Sequence, residues 1–149
     1  MTMTIRLYRA ADKAACLALF NSNMPKFFTA DERTEFDRFL DAPVGRYFVL
    51  EVPDGAIVGC GGYEVTSADA TAKLNWGMVD RARHRDGLGH RLLAHRIADI
   101  KADASIRKIV MDTSQHVAGF FAAHGFRTTR VIPDGYKPGL DQVEMCLDL

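Results

Sequence analysis

One stretch of the chain concentrates residues that could do chemistry: Met78-Val-Asp-Arg-Ala-Arg-His-Arg-Asp-Gly-Leu-Gly-His-Arg-Leu-Leu93. An apolar, strand-like end runs into a basic loop carrying Arg81, Arg83, His84 and Arg85. The loop opens through Gly87 and Gly89 into a segment of helical period. The first turn of a helix has unpaired N–H groups and a positive partial charge. Glycines let a ligand reach the backbone. Together these features make a cradle for phosphate. The cradle has to be a local device, because 19 Lys and Arg balance 19 Asp and Glu over 149 residues. A net charge of zero supplies no overall field for nucleic acid or an anionic membrane, so neither is expected as a partner.

Spacing selects among phosphate binders. A P-loop needs Gly-x4-Gly-Lys-Ser/Thr, which is missing. A dinucleotide fingerprint needs a third glycine three residues after Gly89, where Leu92 stands. What remains is His84-Arg-Asp-Gly87-Leu-Gly89. Other chemistry is sparser. Glu64, in Gly61-Gly-Tyr-Glu-Val, is the first candidate for a general base, since a partly buried Glu can be tuned toward neutrality. Asn75 could orient a substrate or satisfy a neighbouring backbone group. His116 and His124 fit general-base roles only if they leave a helix surface. The five histidines lack metal-ligand spacing, so no metal is expected. Cys16, Cys60 and Cys146 are an odd set without Cys-x-x-Cys, which suits a reducing compartment and buried apolar roles.

The elements that must position these groups follow from periodicity and turn chemistry. Ile5 to Tyr8 alternates as a strand. Asp12 is placed to cap a helix carrying Cys16, Leu17 and Phe20. Thr29-Ala-Asp-Glu32 is a capping box opening a second helix with Phe36, Phe39 and Leu40 on its buried stripe. Arg46 to Val52 and Ala56 to Val65 form a hairpin about Pro53-Asp54-Gly55. Gly59, Gly61 and Gly62 in its second strand imply a bulge or a close approach. Ala72 to Val79 is another strand. A long helix starts near Gly87 with Leu93, Ile97, Ile100 and Ala104 on one face and Arg91, His95, Asp99 and Asp103 on the other. Lys108 to Met111 reads as a strand covered on both faces. Val117, Phe120, Phe121 and His124 share a helix face that Gly125 ends. Arg127 to Ile132 and Gln142 to Leu147 are the last strands, linked by a loop over Asp134 to Gly139. The order β-α-α-β-β-β-α-β-α-β-β, without linker or repeat, predicts one α/β domain spanning 1–149 with a mixed sheet. The chain start shows no apolar run of signal-peptide type and no stretch has a membrane helix's length, so a cytoplasmic domain is expected.

The segment His84-Arg-Asp-Gly87-Leu-Gly89 resembles the Arg/Gln-x-x-Gly-x-Gly/Ala pyrophosphate loop of the GNAT superfamily of acyl-CoA-dependent N-acyltransferases. Ser114-Gln-His-Val-Ala-Gly-Phe-Phe121-Ala-Ala-His-Gly125-Phe126 resembles that family's later segment, in the same order and with a strand between. The resemblance covers essentially the whole chain. It implies a mostly antiparallel sheet of about six to seven strands flanked by four helices. It also implies a gap beside Met78 and Val79 that takes the arm of acetyl-CoA. The Val79 amide would polarise the thioester carbonyl. The run His84, Arg85, Asp86, Gly87, Leu88, Gly89 and His90 would cradle the diphosphate, with Ser114 and Phe121 also at the donor. Phe28, Asn75 and Tyr136 would border a small-molecule amine. Members are often homodimers.

Two departures matter. His84 stands where Arg or Gln is usual. Phe121 stands where the family usually has a Tyr that protonates the leaving thiolate, and Phe has no proton to give. The rival expectation is therefore a catalytically silent acyl-CoA-binding sensor or partner module.

Overall fold

The computed structural model describes residues 3–149. Its strands are β1 (Thr4–Leu7), β2 (Arg46–Glu51), β3 (Ile57–Thr66), β4 (Thr71–Val79), β5 (Lys108–Thr113), β6 (Arg127–Lys137) and β7 (Leu140–Asp148). Its helices are α1 (Lys13–Ser22), α2 (Ala30–Asp41), α3 (Leu88–Lys101) and α4 (Ala118–Ala123). The strands form one sheet in the order β1-β2-β3-β4-β5-β7-β6. Only β4 and β5 pair in parallel, as a strand-helix-strand crossover requires; every other pairing is antiparallel. This is the mixed sheet with four helices that the sequence predicts.

Alternation along β2 builds both layers. Tyr47 and Val49 point to one face and pack with Cys16, Leu19, Phe20, Phe36 and Leu40 of α1 and α2. Phe48 points to the other face, into a core of Leu93 and Ile100 from α3, Phe121 from α4, and Ile109, Met111, Val143 and Met145 from the sheet. Each such fully buried side chain contributes roughly 1.5–3 kcal/mol. All three cysteines are free and buried.

Local chemistry places the ends. Thr29 Oγ1 accepts from Glu32 N at 3.2 Å and Glu32 Oε1 accepts from Thr29 N at 3.0 Å, which completes the predicted capping box of α2. In the β2–β3 hairpin Val52 N donates to Ala56 O at 3.0 Å, and Asp54 Oδ1 accepts from Ala56 N at 2.9 Å.

Three expectations need correction. Asp12 does not cap α1. Its carboxylate takes the Arg6 guanidinium at 2.8 and 2.9 Å and the Arg9 amide at 3.0 Å, so its oxygens are spent before the helix begins. The segment read as a loop over 134–139 is largely strand. Asp134 adopts φ +54° and accepts from Gly139 N at 2.7 Å, so β6 bulges and continues to Lys137. Finally, β5 is covered on one face only. Ile109 and Met111 are buried while Val110 is half-buried and Asp112 exposed, because α1 and α2 lie over β2 to β4 and stop short of it.

Candidate active site

The sheet opens along one edge of β4. With β3 it pairs from Thr71 to Val79, but with β5 it pairs only through Thr71↔Lys108, Ala72↔Ile109 and Lys73↔Val110. Beyond Lys73 both strands continue and no longer meet, which leaves a wedge. A bulge supplies the divergence. Between the pairs Cys60↔Met78 and Gly62↔Asn75, β3 advances two residues and β4 three. The extra residue lies at Trp76–Gly77, and Trp76 has φ +43°. A bulge bends its strand and increases its twist. A left-handed tryptophan costs about 1–3 kcal/mol and persists only where its surroundings over-determine it. Here Tyr47 Oη donates to Trp76 O at 2.7 Å, and the indole packs 5.1 Å from the Phe36 ring.

The ladder then fixes which way Val79 points. Asp80 N donates to Val58 O at 2.9 Å, so Val58 and Asp80 are a hydrogen-bonded pair. Antiparallel pairs alternate, so Gly59↔Val79 is a non-bonded pair. The N–H and C=O of Val79 therefore face the wedge. The carbonyl confirms this orientation: it accepts from Asn23 Nδ2 at 2.9 Å and contacts His84 Nε2 at 3.0 Å. A carbonyl only accepts, so His84 carries its hydrogen on Nε2.

From Val79 the chain enters the basic loop. A short turn, Arg81–Arg83, is capped by Asp80 Oδ1 accepting from Ala82 N at 3.0 Å. Gly87 has φ +76° with open space where a side chain would be, and α3 begins at Leu88. Among the described residues the amides of Arg85, Gly87, Leu88, Gly89 and His90 donate no hydrogen bond. Unspent amides, an exposed glycine corner and Arg81, Arg83 and Arg85 nearby suit a diphosphate. His90 Nδ1 lies 2.6 Å from His124 Nε2, and His124 Nδ1 lies 2.8 Å from Phe120 O. The Phe120 carbonyl puts the His124 hydrogen on Nδ1, so His90 donates from Nδ1 to His124 Nε2 and ties the start of α3 to α4.

A bridge crosses the mouth of the wedge. Phe27, between α1 and α2, has its ring centroid 5.4 Å from that of His84 and 6.2 Å from that of His116, with Arg81 Cζ 5.5 Å away. Lys137 Nζ donates to Pro25 O at 3.1 Å and fastens the same segment to β6. The sequence pointed to Phe28, and that ring, half-buried, stacks on Phe20 at 4.5 Å against the core. Phe27 is the aromatic facing the mouth, and only the tertiary contacts distinguish the two.

The remaining predicted residues divide. Asn75 stands opposite Gly62, past the last β4–β5 pair, and its Oδ1 is buried with no hydrogen-bond partner among the described residues. It does not satisfy a neighbouring backbone donor. Ser114 is buried, and its Oγ accepts from His116 N at 3.3 Å. Phe121 is packed into the core against Phe126. Glu64 pairs with Lys73, level with the closed end of the wedge. Five residues separate it from Gly59, which faces Val79, a distance of about 16 Å along the strand. The structure does not bring Glu64 to Val79.

Tyr136 is half-buried. Burial pushes its phenol well above the ordinary range, and Asp112, Glu32 and Glu144 push the same way. Glu32 was missed as a candidate because its capping box explained it. Burial raises its carboxyl, against lowering hydrogen bonds from Thr29.

Residues 22–149 match the family described as the acetyltransferase (GNAT) domain. No match is found among functionally curated proteins. Solved structures of the same fold include a GNAT-family protein from Desulfovibrio desulfuricans, 23% identical over 99% of both chains with TM-score 0.82. An aminoglycoside 6'-N-acetyltransferase complexed with coenzyme A is 14% identical over 97% of this chain and 96% of its own, with TM-score 0.77. The yncA protein of Salmonella typhimurium, solved with acetyl-CoA, is 21% identical over 100% and 95%, with TM-score 0.75.

Proposed function

The chain belongs to the GNAT family of acetyltransferases, and from that premise we propose that it transfers an acetyl group from acetyl-CoA to the amine of a small molecule by direct attack. The observation that carries the reading is the open wedge. The Val79 N–H faces into it, and five unspent amides between Arg85 and His90 follow a few residues on along the chain. Structural neighbours hold coenzyme A and acetyl-CoA, and this chain's residues fit the same ligand chemistry.

Acetyl-CoA supplies the thioester carbon that is attacked. The amides from Arg85 to His90 hold its diphosphate, helped by the positive end of α3. Met78 and Val79 line the wedge, and Val79 N–H donates to the carbonyl as charge develops there. Asn75, just past the last β4–β5 pair, helps position the acceptor. Phe27 and Tyr136 border the acceptor. Glu32, beside Tyr136 and beside the Lys137 that fastens the Phe27 segment, is the base in this reading, and burial raises its carboxyl in the direction a base needs. A neutral chain without a basic groove favours a small acceptor over nucleic acid. Among the described residues no helix is long and apolar enough to cross a membrane, and we place the activity in the cytoplasm.

Release of CoA thiol from acetyl-CoA across a panel of amines tests this directly. Amine-dependent release supports it. A second reading rests on Phe121, which cannot protonate a leaving thiolate: a domain that binds acetyl-CoA and does not turn it over. Tight CoA binding with no release for any amine would establish that reading instead.

A further inference from the structure

Arg96 breaks the pattern of its helix. Leu88, Leu92, Leu93 and Ile100 form the sheet-facing side of α3, and Arg96 falls among them at a position where the period calls for an apolar residue. It is 4% exposed. Its Nε has no partner, and its one hydrogen bond is a long one from Nη1 to Gly62 O at 3.4 Å. Among the described residues no carboxylate pairs with it. A buried cation left this way is destabilising unless something else uses its charge.

The sheet is shaped to admit it. A Cβ at Gly77 would lie 2.9 Å from Nη2 and 3.0 Å from Nη1; at Gly61 it would lie 3.2 Å from Cζ. Two glycines on adjacent strands thus let the guanidinium rest directly behind the Trp76–Gly77 bulge. Val79 is two residues further along β4, about 7 Å by strand rise. The titratable side chains that face Arg96 are Tyr47 and Cys60. At the mouth of the wedge the charged or titratable groups are Lys26, Asp80, Arg81, His84, His116 and Lys137.

We infer that Arg96 is a positioning residue that holds a fixed positive charge behind the wedge and stabilises the leaving thiolate, in place of the proton donor that Phe121 cannot be. This rests on the acetyl-CoA reading. In the step concerned the amine's electron pair forms the new N–C bond. The C–S bond breaks with its pair going to sulfur, and the amine's proton goes to the base. Sulfur departs as an anion. The guanidinium does not touch it; its field acts through the thin strand. Burial lowers the Arg96 pKa to about 10, which leaves it cationic at neutral pH.

The test is titration of CoA bound to the enzyme, read by the ultraviolet absorbance of the thiolate, in wild type, Arg96→Met and Arg96→Lys. The thiol bound to wild type should titrate about one pH unit below that of free CoA. Arg96→Met should return it to the free value and lower kcat about tenfold, with KM and CoA affinity little changed. Its thermal midpoint should be equal or higher, because an unmatched buried charge is gone. Arg96→Lys should recover most of the wild-type titration. The inference is overturned if Met leaves thiol titration and kcat unchanged, or if Lys behaves like Met. Should Arg96→Met fail to fold, the wild-type titration decides alone: a bound thiol titrating as in free CoA removes this inference and leaves the transferase reading intact. A wild-type protein that does not bind CoA removes both.

Discussion

The two ends of β4 obey different economies. From Thr71 to Lys73 the strand is bonded on both edges, to β3 and to β5. From Asn75 to Val79 it keeps β3 and loses β5. Each unmade backbone hydrogen bond forgoes about 0.5–1.5 kcal/mol. The open end then adds a left-handed Trp76 and a buried, poorly bonded Arg96. One strand therefore holds a relaxed half and a strained half, a few residues apart. The strained half faces the unpaired gap beside β5, and the relaxed half only holds the sheet together. Stability is withheld where backbone donors must stay free for something else.

Substitutions at the two ends should separate accordingly. The largest effect is expected at the cradle. Gly89→Val puts bulk where backbone must touch phosphate, with the Phe120 ring 3.4 Å from the new Cβ. CoA binding should fall about a thousandfold, ~4 kcal/mol by calorimetry, with the fold retained by circular dichroism. At the closed end Lys73→Ala should leave CoA affinity unchanged, since it loses only a 3.8 Å pair with Asp112. Equal losses from both substitutions would erase the distinction between the ends.

Next in size is the base. Glu32→Gln keeps the capping box and removes the titrating carboxylate. It should lower kcat about a hundredfold with CoA affinity unchanged. Because burial raises the Glu32 carboxyl, the acidic limb of the wild-type kcat/KM profile should lie above that of an ordinary Glu, and Glu32→Gln should abolish it. Glu64→Gln, beside the closed end, should behave like wild type. The reverse pattern would return the base to Glu64.

Smaller again is the effect of Tyr47→Phe, which removes the donor to Trp76 O. It should cost about 1–2 kcal/mol in denaturant unfolding and reduce kcat a few-fold as the bulge relaxes. An unchanged kcat would mean that the bulge does not set the wedge.

The least effect on transfer is expected from Asp12→Asn, whose carboxylate is held by Arg6 and the Arg9 amide. The Arg6 side chain, bonded to Asp12, holds the Asp12 carboxyl below its usual value. A depressed carboxyl contributes stability above its unfolded pKa of about 3.9, and that stability is lost as pH falls through the lower native value. Asp12→Asn should lower unfolding free energy at neutral pH and flatten the acid limb, with turnover unaltered.

How far the sequence reached follows from how local each feature is. The cradle was legible because loop, glycines and helix start are contiguous from His84 to Gly89. The capping box at Thr29 and Glu32 was legible for the same reason. The gap beside Met78 and Val79 came from the family resemblance and not from periodicity, because its cause, the positive φ of Trp76, depends on Tyr47 reaching across the sheet. Glu64 drew attention by sitting among glycines, yet register set it beside Lys73. The glycines had another use: Gly61 makes room for Arg96. That arginine escaped notice because a helical period counts apolar positions and passes over a charge standing among them. The Asp134 turn was misread because its bonds to Gly139 and Asp141 let a strand continue through a loop-like composition.

Backbone amide resonances, followed while CoA is titrated into the protein, test the central claim most directly. CoA should shift and protect the amides of Val79, Arg85 and Gly87 to His90, and leave those of Thr71 to Lys73 where they were. CoA binding with the Val79 and Gly89 amides unmoved would contradict it, since the ligand would then sit somewhere other than the open half of β4.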